Sequence, residues 1–439
     1  MMKKVMSLFL VGLLSISLVA CGGNNTVNAG KTDNSDTETS TTESGQLKGK
    51  IEWVNWMGEF PGGAELIIEK FNEEYPGIEV ESVSVGFADV RKQIISRYAA
   101  AQDADVYQLN MPWCKELVDL GALEPLDELM SADETFDASK LVQEPMQKID
   151  GNSYMLPLTA MHFVLFYNED HFKEAGLEPP TTWEEMKAAA KKLTDSDNNR
   201  YGLTLSMSSS GAANGPILSI YPMLYTAGGR TMKDGKANIN TPEMLKTLTL
   251  FNDLYADEVF LPGVLTKAAN QSIDDFISGT ASMMIQPSTH INTVRNSGTD
   301  MNFGVVAVPV PEEGGVPATR LHGWEVGIGS GSENKELAWT FISWLTSEEI
   351  NAWIAEKAGQ LPANLNASAD YINDDPLIKK TFEMMSELEV VEELMLTPRS
   401  TDTWRVFTEE VQKMFLDDIS PEEAVENIQK GWDDIFAGN

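Results

Sequence analysis

The stretch from residue 156 to residue 176, LPLTAMHFVLFYNEDHFKEAG, constrains the fold more than any other part of the chain. Pro157 lacks a backbone N–H and biases the residue before it towards extended backbone. Residues 161–167 are rich in β-branched and aromatic side chains and form a run too short for a normal helix, so they predict a buried strand. Asn168 then turns the chain into a short helix that ends at Gly176.

A second structural unit is predicted directly after this helix. Pro179 and Pro180 favour an extended link, and Thr182 with Glu185 three residues later has the spacing of a helix capping box. A buried strand that leaves a proline-marked segment and enters a new α/β unit is typical of a chain that crosses from one lobe to another.

These residues carry a family resemblance. The sequence LPL…LFYNEDHFKEAGLEPPTTWEEMKAAAKKLT resembles a signature of the carbohydrate-type extracellular solute-binding proteins, family 1, of bacterial ABC importers. Residues 276–284 (FISGTASMM) and 322–328 (HGWEVGI) resemble further stretches of that family, and the resemblance extends over most of the chain after residue 47.

The resemblance implies a fold and a role. The fold would be α/β and two-lobed, periplasmic-binding-protein-like of the class II type, with an open mixed sheet flanked by helices in each lobe and crossing segments as a hinge. The role would be a ligand trap that holds a sugar or oligosaccharide between its lobes and delivers it to the transmembrane subunits of an ABC permease. Such a protein is not an enzyme and needs no cofactor.

Length and charge agree with this interpretation. A chain of 439 residues exceeds the size at which one hydrophobic core keeps growing, so two lobes are expected. The net charge of −35 argues against nucleic acid, anionic membrane surfaces and polyanionic ligands as partners. The two cysteines do not make a disulfide framework. We expect a monomer.

The pattern after residue 47 predicts an open α/β sheet. Strands are predicted at 50–56, 78–85 and 105–110, with helices at 64–75 and 88–101 between them. Ligands bind such sheets at the loops beyond the carboxyl ends of the strands. These loops lie at residues 55–59, 86–89 and 110–113.

Three crossings divide the chain into lobes. They are predicted near residues 159–161, 321–323 and 361–367. The first lobe then consists of residues 47–160 and 325–365, and the second of residues 161–324 and 366–439.

The N-terminus predicts export and lipidation. Lys3 and Lys4 precede an apolar run, residues 5–20, that is shorter than the roughly 20 residues of a spanning helix, so residues 1–20 fit a signal peptide. The sequence LVACG at 18–22 resembles a bacterial lipobox, which predicts a lipid on Cys21. Residues 21–46 are polar and of low complexity, and are expected to form a disordered tether. The protein would be anchored to the outer face of the cell membrane, or lie in the periplasm if the source has an outer membrane.

Matches to catalytic and metal-binding patterns are weak. Ser332 to Lys335 fits S-x-x-K and residues 196–198 fit S-D-N, but they occur in reverse order and without a K-T-G triad. Residues 195–202 resemble the start of a calcium loop with Arg200 in place of its turn glycine, so a solvated turn is favoured and calcium stays open. Cys114 is expected to be a small buried residue.

A neutral sugar needs aromatic walls for its C–H face and polar side chains for its hydroxyls. Aromatic residues at loop positions are therefore the first candidates, whereas Trp339, Trp344 and Trp353 lie on predicted helices and are assigned to packing. The candidate ligand-binding residues are Trp324, Trp113, Trp56, Asn110, Glu59, Asn55, His162, Phe163, Tyr225, Glu325, Arg399 and Trp404.

Trp324 is the foremost candidate. Gly323 before it is expected to give the backbone angles that other residues avoid, and so to bring the indole to the crossing. Two alternatives stay open. The chain could be an exported carbohydrate-active enzyme such as a glycosidase, which needs paired carboxylates, or it could bind a small solute other than a sugar.

Overall fold

Two long antiparallel strands, β4 (Leu156–Asn168) and β9 (Ala318–Ile328), tie the molecule together. They belong to a computed structural model that describes residues 47–57, 62–208, 215–312, 315–367 and 370–438. The predicted signal peptide, Cys21, the tether and the ligand candidate Glu59 lie outside these residues.

The described chain alternates strands and helices. The strands other than β4 and β9 are β1 (Gly49–Asn55), β2 (Ile78–Ser84), β3 (Val106–Leu109), β5 (Met232–Lys233), β6 (Lys236–Ala237), β7 (Met283–Pro287), β8 (Phe303–Val306), β10 (Leu361–Pro362) and β11 (Glu389–Val391). The helices are α1 (Gly63–Glu74), α2 (Phe87–Ala99), α3 (Cys114–Asp119), α4 (Asp127–Ala132), α5 (Glu169–Ala175), α6 (Trp183–Leu193), α7 (Ile220–Thr226), α8 (Pro242–Ala256), α9 (Ala269–Ile277), α10 (His290–Asn296), α11 (Lys335–Leu345), α12 (Glu348–Ala358), α13 (Asp370–Asp374), α14 (Pro376–Glu387), α15 (Ser400–Phe415) and α16 (Pro421–Phe436).

The main sheet is mixed and has nine strands. Its path runs β10-β4-β9-β3-β1-β2, with β7 and β8 also paired to β4 and β11 paired to β9. β1 is parallel to β2 and β3, which confirms the open α/β pattern predicted for the first hundred folded residues. Because β4 and β9 take part at both ends, the sheets of the two lobes are continuous rather than separate.

The first two predicted crossings pair with each other. Ala160 of β4 lies opposite Gly323 of β9, and Met161 lies opposite His322. The observed strand β4 is longer than the predicted strand at 161–167. It already starts at Leu156, and it includes Pro157, which lies beside a register shift in the pairing with β9.

The third predicted crossing, residues 361–367, lies beside the first two. Leu361 and Pro362 of β10 pair with Ala160 and Thr159 of β4, so all three crossing segments meet at one place.

The expected role of Gly323 is wrong. It does not have a positive φ, so the backbone there is ordinary strand. A Cβ at this position would instead lie 2.3 Å from the carbonyl oxygen of Thr159. Glycine is required because β4 and β9 approach closely, which is a steric reason and not a conformational one.

Buried side chains form a core on each side of the crossing. In the first lobe, Trp53 of β1 packs with α11 side chains such as Phe341 and Ile342. In the second, α7 and α8 pack against α15 and α16, with Phe251 and Trp432 fully buried.

Local helix signals are mostly confirmed. Thr182 and Glu185 form the predicted capping box of α6. A 3₁₀ turn (Gly215–Leu218) precedes α7. Pro222 has no N–H to donate to residue 218, so the regular ladder of hydrogen bonds cannot extend back through this point. In the described part of the chain, no helix is long and apolar enough to cross a membrane.

Candidate functional site

Four aromatic rings gather where the first lobe meets the crossing strands. We call Trp56, Phe87, Trp113 and Trp324 the aromatic wall. The first three follow the carboxyl ends of β1, β2 and β3, where an open α/β sheet presents its ligand loops, and Trp324 lies in β9. The structure therefore brings together three of the predicted aromatic candidates.

The rings contact each other mostly edge to face. The ring centroids of Trp56 lie 5.4 Å from Phe87, 5.8 Å from Trp113 and 5.2 Å from Trp324. Phe87 stacks on Trp113 at 5.3 Å. Trp56 is buried, with 7% of its surface exposed, whereas the other three rings are half-buried. The wall thus has a packed centre and accessible outer rings, as a surface that stacks on a sugar requires.

Phe87 was missed by sequence reasoning. Its loop, residues 86–89, was among the expected ligand loops, but Phe87 itself was not among the candidate residues. The position of Phe87 at the start of α2, directly after a predicted strand, was the available signal.

Arg320, His322 and Trp324 share one face of β9. Side chains alternate along a strand, so residues two apart point the same way. The rings of His322 and Trp324 lie 5.1 Å apart, which agrees with this placement. Burial, together with the positive charge of Arg320 and then that of His290, lowers the pKa of His322 to about 3. His322 is therefore neutral at physiological pH and can both donate and accept a hydrogen bond.

His162 and Glu325 occupy the opposite face. His162 pairs with Leu321, and Glu325 is one residue beyond Trp324 in an unbroken strand. The carboxyl oxygen Oε1 of Glu325 lies 3.3 Å from the ideal Cβ position of Gly323, on the same side. These two predicted ligand residues are buried behind the strand from Trp324, and their contact with ligand stays a prediction.

Burial controls the protonation of both groups. It lowers the pKa of His162 to about 4. It raises the pKa of Glu325 well above the usual range, with a further rise from the nearby Glu392 carboxylate and an opposing effect of the Met111 N–H. Neither Glu325 oxygen makes a hydrogen bond of normal geometry to a described residue. Burial therefore favours the protonated form of Glu325.

Several buried polar atoms at the junction have no protein hydrogen-bond partner among the described residues. Most buried polar atoms in proteins are paired, so such a concentration marks groups that a bound molecule can satisfy. The atoms are Nε and Nη1 of Arg320, Nδ1 of His322, both ring nitrogens of His162, Oγ of Ser288, Nδ2 of Asn110, the hydroxyls of Tyr221 and Tyr225, and Nε1 of Trp404.

The second lobe closes one side of the site. β7 ends at Pro287, and a short loop leads from there into α10. The Thr289 hydroxyl donates to the Met161 sulfur at 3.8 Å, and the Ser288 N–H donates to the His162 carbonyl. This loop is fixed against β4 directly beside the crossing.

Asn55 and Phe163 have structural partners. Asn55 donates to the Trp53 carbonyl and to Ser82 Oγ, and accepts from the Met57 N–H, each at 3.0 Å, so its amide is used within the lobe. Phe163 is fully buried beneath the guanidinium of Arg320, which lies 5.3 Å from its ring centroid. Both assignments favour a supporting role over direct ligand contact.

Tyr225, Trp404 and Arg399 lie on the second lobe. Tyr225 is 1% exposed, with Arg230 over its ring. Arg399 is exposed in a left-handed conformation and pairs with Asp402. The next residue, Ser400, donates to the Pro112 carbonyl of the first lobe at 3.0 Å, so the start of α15 contacts the Trp113 turn. Among the described residues, no ring contact links Tyr225 or Trp404 to the aromatic wall, and no hydrogen bond links any of the three to it.

The weak catalytic and metal matches have other uses. Ser332 donates to Asp105 at 2.6 Å, and Lys335 pairs with Glu124 at 2.7 Å, so the two do not act on each other. Asp195 accepts from Asn198 within its own turn. No group of three potential metal ligands occurs in the described residues. Cys114 is buried, as expected.

A sizeable cavity lies elsewhere. It measures about 820 Å³ and is bounded in the second lobe by Tyr201, Tyr255, Phe260 and Asp417, among others. None of the unpartnered polar atoms of the junction lines it. The chemistry therefore favours the junction over this cavity as the ligand site.

Comparison with known proteins shows which family and fold the chain has. Residues 57–352, more than half of the chain, match the bacterial extracellular solute-binding protein family. The maltotriose-binding protein of Pyrococcus abyssi is 24% identical over 358 residues, covering 80% of this chain and 74% of that protein. The sn-glycerol-3-phosphate-binding periplasmic protein UgpB of Brucella melitensis is 27% identical over 338 residues, covering 73% of this chain and 77% of that protein.

A solved structure shows the same fold. The ABC substrate-binding protein Lmo0181 from Listeria monocytogenes, in complex with cycloalternan, has a TM-score of 0.74 and 23% identity. The match covers 89% of this chain and 99% of that one. Taken with the two lobes and the crossing strands described above, these findings identify the chain as a member of the extracellular solute-binding proteins, family 1, of bacterial ABC importers.

Proposed function

We propose that this protein captures a neutral sugar or oligosaccharide at the junction of its lobes and delivers it to an ABC permease. One observation carries the proposal: the aromatic wall stands beside buried polar atoms that no described residue satisfies. An aromatic face with donors and acceptors around it is the chemistry that a polyhydroxylated ring matches on both its C–H face and its hydroxyls.

The names of the relatives support a sugar. One binds maltotriose and one was solved with cycloalternan, so both ligands are neutral oligosaccharides. The relative that binds sn-glycerol 3-phosphate keeps a phosphorylated solute as the alternative. The enzyme alternative is disfavoured because this family consists of binding proteins.

The proposed direct contacts are the rings of the aromatic wall, two polar side chains on one face of β9 and one polar side chain that follows β3. Trp324, Trp113 and Trp56 would stack on the sugar, with Phe87 added to them. His322, Arg320 and Asn110 would donate to hydroxyls. The remaining sequence-predicted residues (Asn55, Glu59, His162, Phe163, Tyr225, Glu325, Arg399 and Trp404) stay as predictions, with Asn55 and Phe163 in supporting roles.

The lobes would close on the ligand by hinge motion. The proposed lobe limits are 47–160 with 325–365, and 161–324 with 366–439. Hinge closure is the known motion of periplasmic binding proteins, and here the three crossing segments would serve as the hinge. The protein is proposed to act as a monomer.

Export and anchoring complete the proposal. The family is extracellular or periplasmic. Lipidation of Cys21 after removal of residues 1–20 would hold the protein at the membrane through the polar segment 21–46. Replacing Cys21 with alanine should leave the protein in the medium or unprocessed, whereas a variant that is still cleaved and membrane-bound would contradict the lipid anchor.

A thermal-shift panel tests the function. The purified protein is heated with glucose, maltose, maltotriose, cycloalternan and sn-glycerol 3-phosphate, because a ligand that binds only the folded state raises the Tm. At a hundred times Kd the stabilisation amounts to about 2.7 kcal/mol. A shift with a neutral sugar supports the proposal, and a shift with the phosphate alone supports the alternative. Sugar hydrolysis, followed by chromatography of the same samples, would point to an enzyme.

A further inference from the structure

Arg320 is a buried cation in the middle of the junction. Its side chain is 1% exposed and lies in β9, on the face that also carries His322 and Trp324. The guanidinium rests on the face of Phe163, 5.3 Å from the ring centroid. This position is four residues from Trp324 of the aromatic wall, about 13 Å along the strand, and a ligand that stacks there and extends past His322 can reach it.

The hydrogen-bonding capacity of Arg320 is only partly used. Arginine has five N–H donors in a fixed plane. Nε and Nη1 make no hydrogen bond to any residue that the structure describes. The nearest carboxylate oxygen, Oε2 of Glu392, is 3.7 Å from Nε, which makes an ion pair but exceeds hydrogen-bond distance. A buried guanidinium with open donors requires acceptors from a bound molecule.

Glu392 is fixed where it faces Arg320. It follows β11, which pairs with β9 at Arg320, and the side chain is as fully buried as that of Arg320. Its Oε1 accepts from the Met395 N–H at 3.1 Å. Its carbonyl oxygen accepts from Nε2 of Gln147, which belongs to the first lobe, at 3.1 Å. These two hydrogen bonds hold Glu392 at the junction, where its carboxylate faces Arg320.

The charges around Arg320 leave no surplus positive charge. Glu392 cancels the charge of Arg320, and Glu393 is nearby, accepting from the Thr231 N–H and hydroxyl. Arg230 at the rim pairs with Glu389. An acidic ligand at Arg320 would therefore stand beside at least one fixed carboxylate in a buried setting, where repulsion between like charges is strong. A neutral ligand meets donors without that repulsion.

We propose that Arg320 and Glu392 form a specificity-determining pair, in which Arg320 donates to hydroxyl or ring oxygens of a neutral sugar and Glu392 rejects acidic sugars. This inference rests on the proposed sugar-binding function. It assigns the selection of neutral over acidic ligands to one pair of buried side chains, neither of which was a candidate from the sequence.

Matched neutral and acidic ligands test the pair. Kd is measured by calorimetry for glucose, maltose and maltotriose and for the acids derived from them, glucuronic, maltobionic and maltotrionic acid. In the wild type, we expect every acid to bind at least tenfold more weakly than its neutral parent. In Glu392→Gln, which keeps an acceptor for Met395 but loses the charge, the ratio of acid Kd to neutral Kd should fall at least tenfold.

The role of Arg320 is tested in a double variant. Removing Arg320 alone would take away the positive charge that faces the buried Glu392 and could unfold the protein. Arg320→Gln combined with Glu392→Gln avoids this, and its Tm should stay near that of Glu392→Gln. Its affinity for the neutral sugar should be at least tenfold lower than that of Glu392→Gln, because the guanidinium donors are gone.

A surface substitution provides the control. Glu174→Gln makes the same change in net charge, but Glu174 pairs with Arg200 at 2.7 Å on the exterior of the second lobe. It should leave every Kd within about twofold of wild type. The inference is overturned if the ratio of acid Kd to neutral Kd falls less than tenfold in Glu392→Gln. It is also overturned if the double variant binds neutral sugar as tightly as Glu392→Gln does. Failure of the wild type to bind any of the sugars would overturn the proposed function itself.

Discussion

Two aromatic clusters, one within the first lobe and one where that lobe meets the crossing strands, have similar ring geometry but different polar surroundings. One is the aromatic wall. The other packs Phe71 of α1 against Phe341 and Trp344 of α11, with ring centroids 4.9 and 5.0 Å apart, similar to the spacings within the wall. Ring geometry therefore does not separate a ligand surface from a core.

The polar surroundings do separate them. In the α11 cluster, Nε1 of Trp344 donates to Glu74 at 3.0 Å, and Nε1 of the neighbouring Trp339 donates to Asp133 at 3.1 Å. Both indoles are almost fully buried, which confirms their assignment to packing. The aromatic wall instead adjoins Arg320 and His322, whose buried donors lack partners among the described residues. The α11 cluster has one such atom, Nε1 of Trp53, which packs on Phe341, whereas several are gathered at the junction. The number of unsatisfied polar atoms, and not aromatic density, distinguishes the candidate site.

The largest expected effect is on the α11 cluster. Trp344→Ala should lower the free energy of unfolding by about 3–5 kcal/mol, since it removes a large buried ring and leaves a cavity. Chemical denaturation measures the loss. Kd for the sugar, determined under conditions where the variant is folded, should stay at the wild-type value. A marked loss of affinity with little loss of stability would erase the difference between the clusters.

Trp324→Ala should instead weaken sugar binding strongly and lower the stability of the fold only a little. Losing the stacked indole should weaken sugar binding by roughly 5- to 150-fold, which corresponds to about 1–3 kcal/mol. Trp324 is half-buried, so the Tm without ligand should fall much less than in Trp344→Ala. Calorimetric titration and a thermal melt on the same preparation give both values. Normal binding together with a much lower Tm would place Trp324 in the core.

Acid sensitivity should arise at the junction and not in the α11 cluster. The pKa of His162 is lowered by burial to about 4, so the unfolded chain takes up this proton more readily than the folded one. The resulting contribution to stability is intact above the unfolded pKa of about 6.5 and is lost as pH falls towards the folded value. Between pH 7 and pH 5 it amounts to about 2 kcal/mol.

A histidine variant isolates this contribution. His162→Gln should lose about 2 kcal/mol less than the wild type over that pH interval, as measured by urea unfolding at both values. The raised pKa of Glu325 works in the opposite direction in both proteins and cancels in the comparison. Parallel losses in the two proteins would show that His162 does not titrate as described.

Much of the fold could be predicted because its signals are local. The strand and helix pattern of the first lobe, the capping box at Thr182 and the crossing at residues 159–161 each depend on a few adjacent residues. A second crossing at residues 321–323 was also predicted, through the family resemblance, but its pairing with residues 159–161 was not. The incorrect expectation for Gly323 has a non-local cause, because the Thr159 carbonyl that excludes a side chain comes from the other strand.

The polar half of the site was harder to predict. Glu325 is adjacent to Trp324 in sequence, but one residue along a strand reverses the face. His162 lies on the same face as Glu325, because it pairs with Leu321. Arg320 was missed because its burial depends on Glu392, which reaches it only through the pairing of β11 with β9. Sequence patterns identify which segments meet, but not which side chains face each other.

The most direct test of the site is a crystal structure with the sugar that gives the largest shift in the thermal panel. We expect the sugar to lie between the lobes, with one face stacked on Trp324 and at least one hydroxyl within hydrogen-bond distance of the Arg320 guanidinium. Sugar density confined to the 820 Å³ cavity beside Tyr255, with the aromatic wall uncontacted, would contradict it.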